Sequence, residues 1–159
     1  MLFRLDELQP GKTIAKTFES ARAELETALG KLVITGITAH LKFRLDPLGY
    51  VVHYEAQAKV EAPCVRCGQP VTTQVKATDW VSLRTRQPEE GHLILDKSEM
   101  NVRFIADSEF DVEEFILETI ELATPDFPRH EALNPACQVD EEPNVAEDSP
   151  FSSLARLLK

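Results

Sequence analysis

Two cysteines three positions apart, Cys64 and Cys67, enclose Val65 and Arg66 and are followed by Gly68. A C-x-x-C pair is either a redox dithiol or one half of a zinc site. Redox work needs a helix N-terminus to lower one thiol pKa, and this pair instead lies between two runs that alternate like strands, so redox catalysis is set aside. A knuckle between strands holds both sulfurs on one side of a turn. The other half of a tetrahedral site would come from Cys137, the remaining cysteine, and from His130, seven residues before it. That second half is not itself a C-x-x-C pair, so a metal-free hairpin is the preferred reading and no cofactor is favoured. The alternative is a small zinc-stabilised binding module held by Cys64, Cys67, Cys137 and His130.

Other chemistries find less purchase. The chain has no glycine-rich phosphate loop, no G-x-S-x-G elbow and no H-E-x-x-H pair. Glu113, Glu114, Glu118 and Glu121 follow helical spacing and read as the solvated face of a helix, with no cleft to make them catalytic. His40, His53 and His92 stand isolated. An enzyme is not expected.

The elements that would carry these groups follow from periodicity. Residues 1–9 read as a short strand ending in a turn at Pro10-Gly11. Ile14, Phe18, Ala21, Leu25 and Ala28 recur at spacings of four and three, predicting a helix over 14–28 that stops at Gly30. From Leu32 to Leu83 the period becomes two. Leu41, Phe43 and Leu45 share a face, and Asp46-Pro47-Leu48-Gly49 forms a turn. Tyr50, Val52, Tyr54, Ala56, Ala58 and Val60 then alternate with polar residues, as in an antiparallel sheet with one wet face. Val71, Thr73, Val75 and Ala77 continue the pattern until Asp79, where a bulge near Thr78 would turn Trp80 inward and Asp79 outward. A connection over 84–100 leads to a short strand at 102–105. Asp111 caps a helix over 112–124, with Glu114 three residues on and Phe110 placed to staple onto Phe115. The fold expected is α+β: an antiparallel sheet of about five strands with two packed helices, 14–28 and 112–124, in a core domain over 1–124. Residues 125–159 read as an acidic, proline-rich tail ending in a short helix capped by Ser149.

Charge bounds the partners. Of 159 residues, 17 are Lys or Arg and 27 are Asp or Glu, for a net charge of −10. Residues 1–80 hold ten basic and nine acidic side chains, whereas residues 81–159 hold seven and 18. The C-terminal half would repel a phosphate backbone and attract a basic protein. The polar sheet face carries Lys42, Arg44, His53, Lys59 and Lys76, with Arg66 at the hairpin tip, against Glu55 and Glu61. That patch could meet phosphates but lacks an aromatic pair for reading bases, so any contact with RNA is expected to be indirect. Three cysteines, no secretory leader and no apolar run near 20 residues predict a cytoplasmic protein without a membrane span.

The meander into Cys64-Val65-Arg66-Cys67-Gly68 resembles the C-x-R-C hairpin of the YceD family, the large ribosomal RNA subunit accumulation proteins. The likeness continues through the acidic helix Asp111 to Ile120, Leu122-Ala123-Thr124-Pro125, His130, Cys137 and the ending Ser149-Pro150-Phe151 to Leu157. Many members carry a second cysteine pair after the acidic helix, where this chain has Cys137 alone. The resemblance implies a role in the synthesis, processing or stability of 23S rRNA and in large-subunit assembly, with no catalytic activity. The partner expected is a large-subunit precursor or a basic ribosomal or assembly protein. It would be engaged by acids such as Glu113, Glu114 and Glu118 while Arg66, Lys42, Arg44, Lys59 and Lys76 approach rRNA.

Overall fold

The computed structural model describes residues 1–27, 30–85, 101–130 and Cys137. In chain order the elements are β1 (Leu2–Arg4), a 3₁₀ turn (Leu5–Glu7), β2 (Thr13–Thr27), β3 (Gly30–Asp46), β4 (Gly49–Pro63), β5 (Pro70–Arg84), β6 (Val102–Phe104), β7 (Glu109–Asp111) and α1 (Val112–Ala123). Strands β2 to β6 form one sheet in sequence order, and β1 pairs with β7 in a separate two-stranded ribbon. Neighbours from β2 to β5 are antiparallel, but β6 runs parallel to β5 through Ser82, Leu83 and Arg84. Among the described residues the fold is therefore mostly β, a five-stranded mixed sheet with a two-stranded ribbon and one helix. The expected α+β fold with an antiparallel sheet and two helices is corrected.

The error lies in β2. Its fourteen-to-eighteen spacing of Ile14 and Phe18 suits two strand repeats as well as one helical turn. Opposite Ala21 stands Gly36, and between Thr35 and Thr38 the register of β3 on β4 shifts by a bulge. Gly36 takes φ +61°, which an L side chain adopts at a cost. Across this bulge the inward face of β3 changes from Leu32 and Ile34 to Ile37, Ala39, Leu41 and Phe43, all buried. In β2 the inward residues change from Ile14 and Phe18 to Ala23 and Leu25, and Ala21 is exposed. A strand that changes faces midway yields odd spacings that imitate a helix. Gly30, read as a helix stop, instead opens β3 and pairs with Thr27.

The remaining expectations divide. The apolar alternation of β4 is as read, with Val52, Ala56, Ala58 and Val60 buried. The bulge near Thr78 does not form, because β4 and β5 keep one register from Tyr50↔Leu83 to Pro63↔Pro70. Asp79 therefore shares the α1-facing side with Tyr54, and Trp80 shares the opposite face with His53. Asp79 remains exposed there and accepts hydrogen bonds from the Trp80 N–H at 2.8 Å and Asn101 Nδ2 at 3.4 Å. Most of the 84–100 connection and the terminal helix at 149–158 lie outside the described residues.

Helix α1 begins where its cap signals place it. The Asp111 carboxylate accepts the N–H groups of Glu113 and Glu114, satisfying donors that a helix start leaves unpaired. Val112, Phe115, Ile116 and Ile120 are buried against β4, β5 and β1. Phe110 stacks on Phe115 at 5.1 Å, as the staple requires. Phe43 lies 4.3 Å from Phe3 and 5.9 Å from Phe110, and Tyr54 meets Phe115 edge-on at 5.0 Å. This aromatic chain ties the ribbon and helix to the sheet. At the β3–β4 turn, Gly49 (φ +147°) approaches β5 so closely that a Cβ would stand 2.3 Å from the Leu83 carbonyl oxygen.

Candidate metal centre and charged surfaces

The β4–β5 connection is built to present sulfur. Cys64 N–H bonds the Gln69 carbonyl at 2.8 Å, and Gly68 N–H bonds the Cys64 carbonyl at 2.8 Å, closing a knuckle at the end of the hairpin. Gly68 takes φ +73°, the left-handed step that lets the chain turn back. Val65 N–H reaches the Pro128 carbonyl at 2.9 Å, so the segment leaving α1 is pinned to the knuckle.

That pinning delivers the remaining ligands. Cys64, Cys67, His130 and Cys137 bring their ligand atoms within 4.8 Å of one another. Cys64 Sγ and Cys137 Sγ are 3.8 Å apart, and Cys67 Sγ is 3.6 Å from His130 Nδ1. A tetrahedron with Zn–S of about 2.3 Å and Zn–N of about 2.0–2.1 Å has S···S edges of about 3.8 Å and S···N edges of about 3.6 Å. Both separations match tetrahedral edges. His130 Nε2 lies 3.1 Å from the Pro70 carbonyl, which can only accept, so Nε2 carries the proton and the Nδ1 lone pair faces the sulfurs.

The electrostatics of the sulfurs also favour a cation. Burial would raise the Cys64 thiol, but the N–H groups of Cys67, Arg66 and His130, with the His130 ring, hold it at about 5. Cys137 moves the other way, raised by burial and by Cys64 and Cys67 beside it. Cys64 and Cys137 are buried, at 2% and 5% exposure. Sulfurs packed this closely cannot all ionise unless a positive charge sits among them.

The proposed RNA-facing residues fall on the sheet face opposite α1. Register places Lys42 beside His53, Arg44 beside Val51, Lys59 beside Thr35 and Lys76 beside Gln57. Arg66 is exposed at the knuckle tip. This face is not purely basic: Glu19, Glu55 and Glu61 share it, and Arg44 pairs with Asp46 at 3.6 Å. Sequence reasoning missed two of its groups. Trp80 lies here rather than inside, and His40, facing Thr17 Oγ1 at 3.3 Å, lines a groove of about 480 Å³ with Lys42, His53 and Glu55. Carrying the Val71–Ala77 alternation straight past Thr78, without a bulge, puts Trp80 on this face.

The acids lie elsewhere. Glu113, Glu114, Glu118 and Glu121 are exposed on α1. Glu118 pairs with Arg103, whose guanidinium sits 5.9 Å from the Phe115 ring centroid. Residues 101–130 hold eight acidic and two basic side chains. The structure thus separates the acidic helix from the mixed basic face and joins the four sulfur and nitrogen ligands. Among the described residues, no helix is long and apolar enough to cross a membrane.

Fold and site together define a mostly-β module whose hairpin and helix-exit segment meet in a Cys₃His cluster able to hold a metal ion. The chain belongs to the YceD family, the large ribosomal RNA subunit accumulation proteins, whose match covers residues 52–158 and takes in the knuckle, α1, His130 and Cys137. The family name carries a role in the accumulation of large-subunit ribosomal RNA. No curated protein and no solved structure gives a significant match.

Proposed function

We propose that this chain is a non-catalytic, cytoplasmic factor that supports the synthesis, processing or stability of 23S rRNA by holding a basic protein of the large-subunit assembly pathway. The exposed carboxylates of α1 carry the reading, because eight acids against two bases over 101–130 attract cationic partners and repel bare phosphate. Zinc at Cys64, Cys67, His130 and Cys137 fastens the segment after α1 to the hairpin, so the acidic helix and the Arg66 tip keep a fixed relation. The two alternatives left by the sequence are then parts of one molecule. The metal is structural and the acidic surface binds.

Affinity purification from cells at low ionic strength tests this. Large-subunit precursors or a basic ribosomal protein should co-purify, and raising the salt should release them. A complex indifferent to salt, or no large-subunit material at all, would overturn the reading. Naked rRNA fragments should bind weakly by comparison.

A further inference from the structure

Between α1 and the β5–β6 end of the sheet runs a groove of about 480 Å³. Its floor is Tyr54, Ala77 and Phe115, its charged lining is Asp79, Arg103 and Glu118, and Leu122, at 80% exposure, stands at its lip. Tyr54 and Phe115 meet at 87°, so the floor offers aromatic surface between two carboxylates. The Tyr54 phenol is pushed up by burial and by the negative charge of Asp79, which marks the inner end of the groove as partly dry and negative.

We propose that this groove seats a lysine or arginine side chain carried on an extended basic segment of a partner protein. The inference rests on the reading above and names where on the acidic half the partner is held. The molecule already shows the chemistry at one end. Arg103 lies over the Phe115 ring and pairs with Glu118, a cation held by an aromatic face and a carboxylate together. Asp79, across the groove and opposite Tyr54 on the sheet, supplies the matching carboxylate for a second cation. Charge selects among occupants. RNA would bring phosphates against Asp79, Glu118 and the exposed carboxylates of α1, and a second copy of this chain would bring a net charge of −10. A basic segment meets the Asp79 carboxylate and the Tyr54 ring at the end of the groove away from the Arg103–Glu118 pair.

Titration of the zinc-loaded full chain, followed by backbone amide NMR, tests the proposal with three probes. These are a twelve-residue Lys/Arg-Gly/Ser peptide, its Asp/Glu counterpart and a single-stranded RNA dodecamer. The basic peptide should shift Tyr54, Ala77, Asp79, Thr119 and Leu122, while the other probes leave them in place. Asp79→Asn should weaken the peptide roughly two- to fivefold with the unfolding midpoint retained. Arg103→Gln should tighten it by removing the internal cation. Shifts confined to the Lys42–His53 face, RNA shifting the groove, peptide binding indifferent to Asp79→Asn, or weaker binding by Arg103→Gln would each overturn the groove. The two readings fail separately. Asp79→Asn that leaves co-purification of large-subunit material intact defeats the groove alone, whereas absence of such material from wild-type pull-downs defeats the assembly role alone.

Discussion

Cys64 Sγ and Cys137 Sγ stand 3.8 Å apart although 73 residues separate them in the chain. One sulfur belongs to a hairpin knuckle and the other to the acidic region beyond α1, with His130 Nδ1 3.6 Å from Cys67 Sγ completing the set. Without a cation these groups oppose one another, since Cys64 is held low and Cys137 is driven high. With a divalent ion between them the same crowding becomes coordination.

Protein purified under reducing conditions should therefore contain one zinc per chain by elemental analysis. Cys64→Ser and Cys137→Ser should each release it, while His130→Cys, which keeps four ligands, should retain it. Chelation should lower the unfolding midpoint by roughly 5 °C or more, as the segment after α1 loses its anchor. Metal-free wild-type protein with an unchanged midpoint would refute the centre.

The cap of α1 gives a pH dependence with a definite sign. Partial burial pushes the Asp111 carboxyl up, but the Glu114 N–H, the Met1 ammonium and the Glu113 N–H outweigh it and hold it below the usual carboxylate range. A depressed carboxyl contributes stability that is present above its unfolded pKa of about 3.9 and is lost as pH falls through the folded value. Asp111→Ala should cost about 1 kcal/mol at neutral pH. Asp111→Asn keeps the accepting oxygen and should cost less, while flattening the stability profile below about pH 4. Urea melts from about pH 2.5 to about pH 7 read both effects.

Close approach at the β3–β4 turn makes Gly49 hard to replace. A Cβ there would meet the Leu83 carbonyl oxygen at 2.3 Å, in a backbone region that L residues avoid. Gly49→Ala should destabilise by about 3 kcal/mol or more, since β5 backbone rather than a pliable side chain must move. A melt that matches wild type would show that the turn is not seated as described.

Phe43 links the sheet to the ribbon through Phe3 and Phe110 and is fully buried. Phe43→Ala should cost about 3–5 kcal/mol by removing apolar contact and leaving a cavity. Chemical denaturation measures it, and a loss under about 1 kcal/mol would mean that the aromatic chain does not tie the layers together.

Much of this fold was legible because its signals are local. Unbroken alternation from Tyr50 to Val60 identifies β4, and Asp111 with the Phe110–Phe115 staple identifies α1. β2 was illegible for a physical reason. Its inward face switches at Ala21 opposite Gly36, so that no single period describes the strand. The parallel sense of β6 was equally hidden, because three residues carry no directional pattern. At the site, Cys64, Cys67, Cys137 and His130 were named as a set from residue type. What residue type cannot convey is the Val65–Pro128 hydrogen bond that draws the two halves together across sequence without periodicity. The break in alternation at Asp79 reads as a bulge near Thr78, yet the register runs straight through and puts Asp79 and Trp80 on the other faces. β6 pairs with β5 only from Ser82 to Arg84, and Asp79, outside that pairing, stays wet.

The most direct test is complementation of a depleted strain with a variant whose exposed α1 carboxylates are reversed: Glu113→Lys, Glu114→Lys, Glu118→Lys and Glu121→Lys together. Circular dichroism and zinc content first establish that it folds. If acidic capture of a basic assembly partner is how the chain acts, 23S rRNA should stay at the depleted level. Full recovery of 23S rRNA by the folded, zinc-loaded variant would contradict the account.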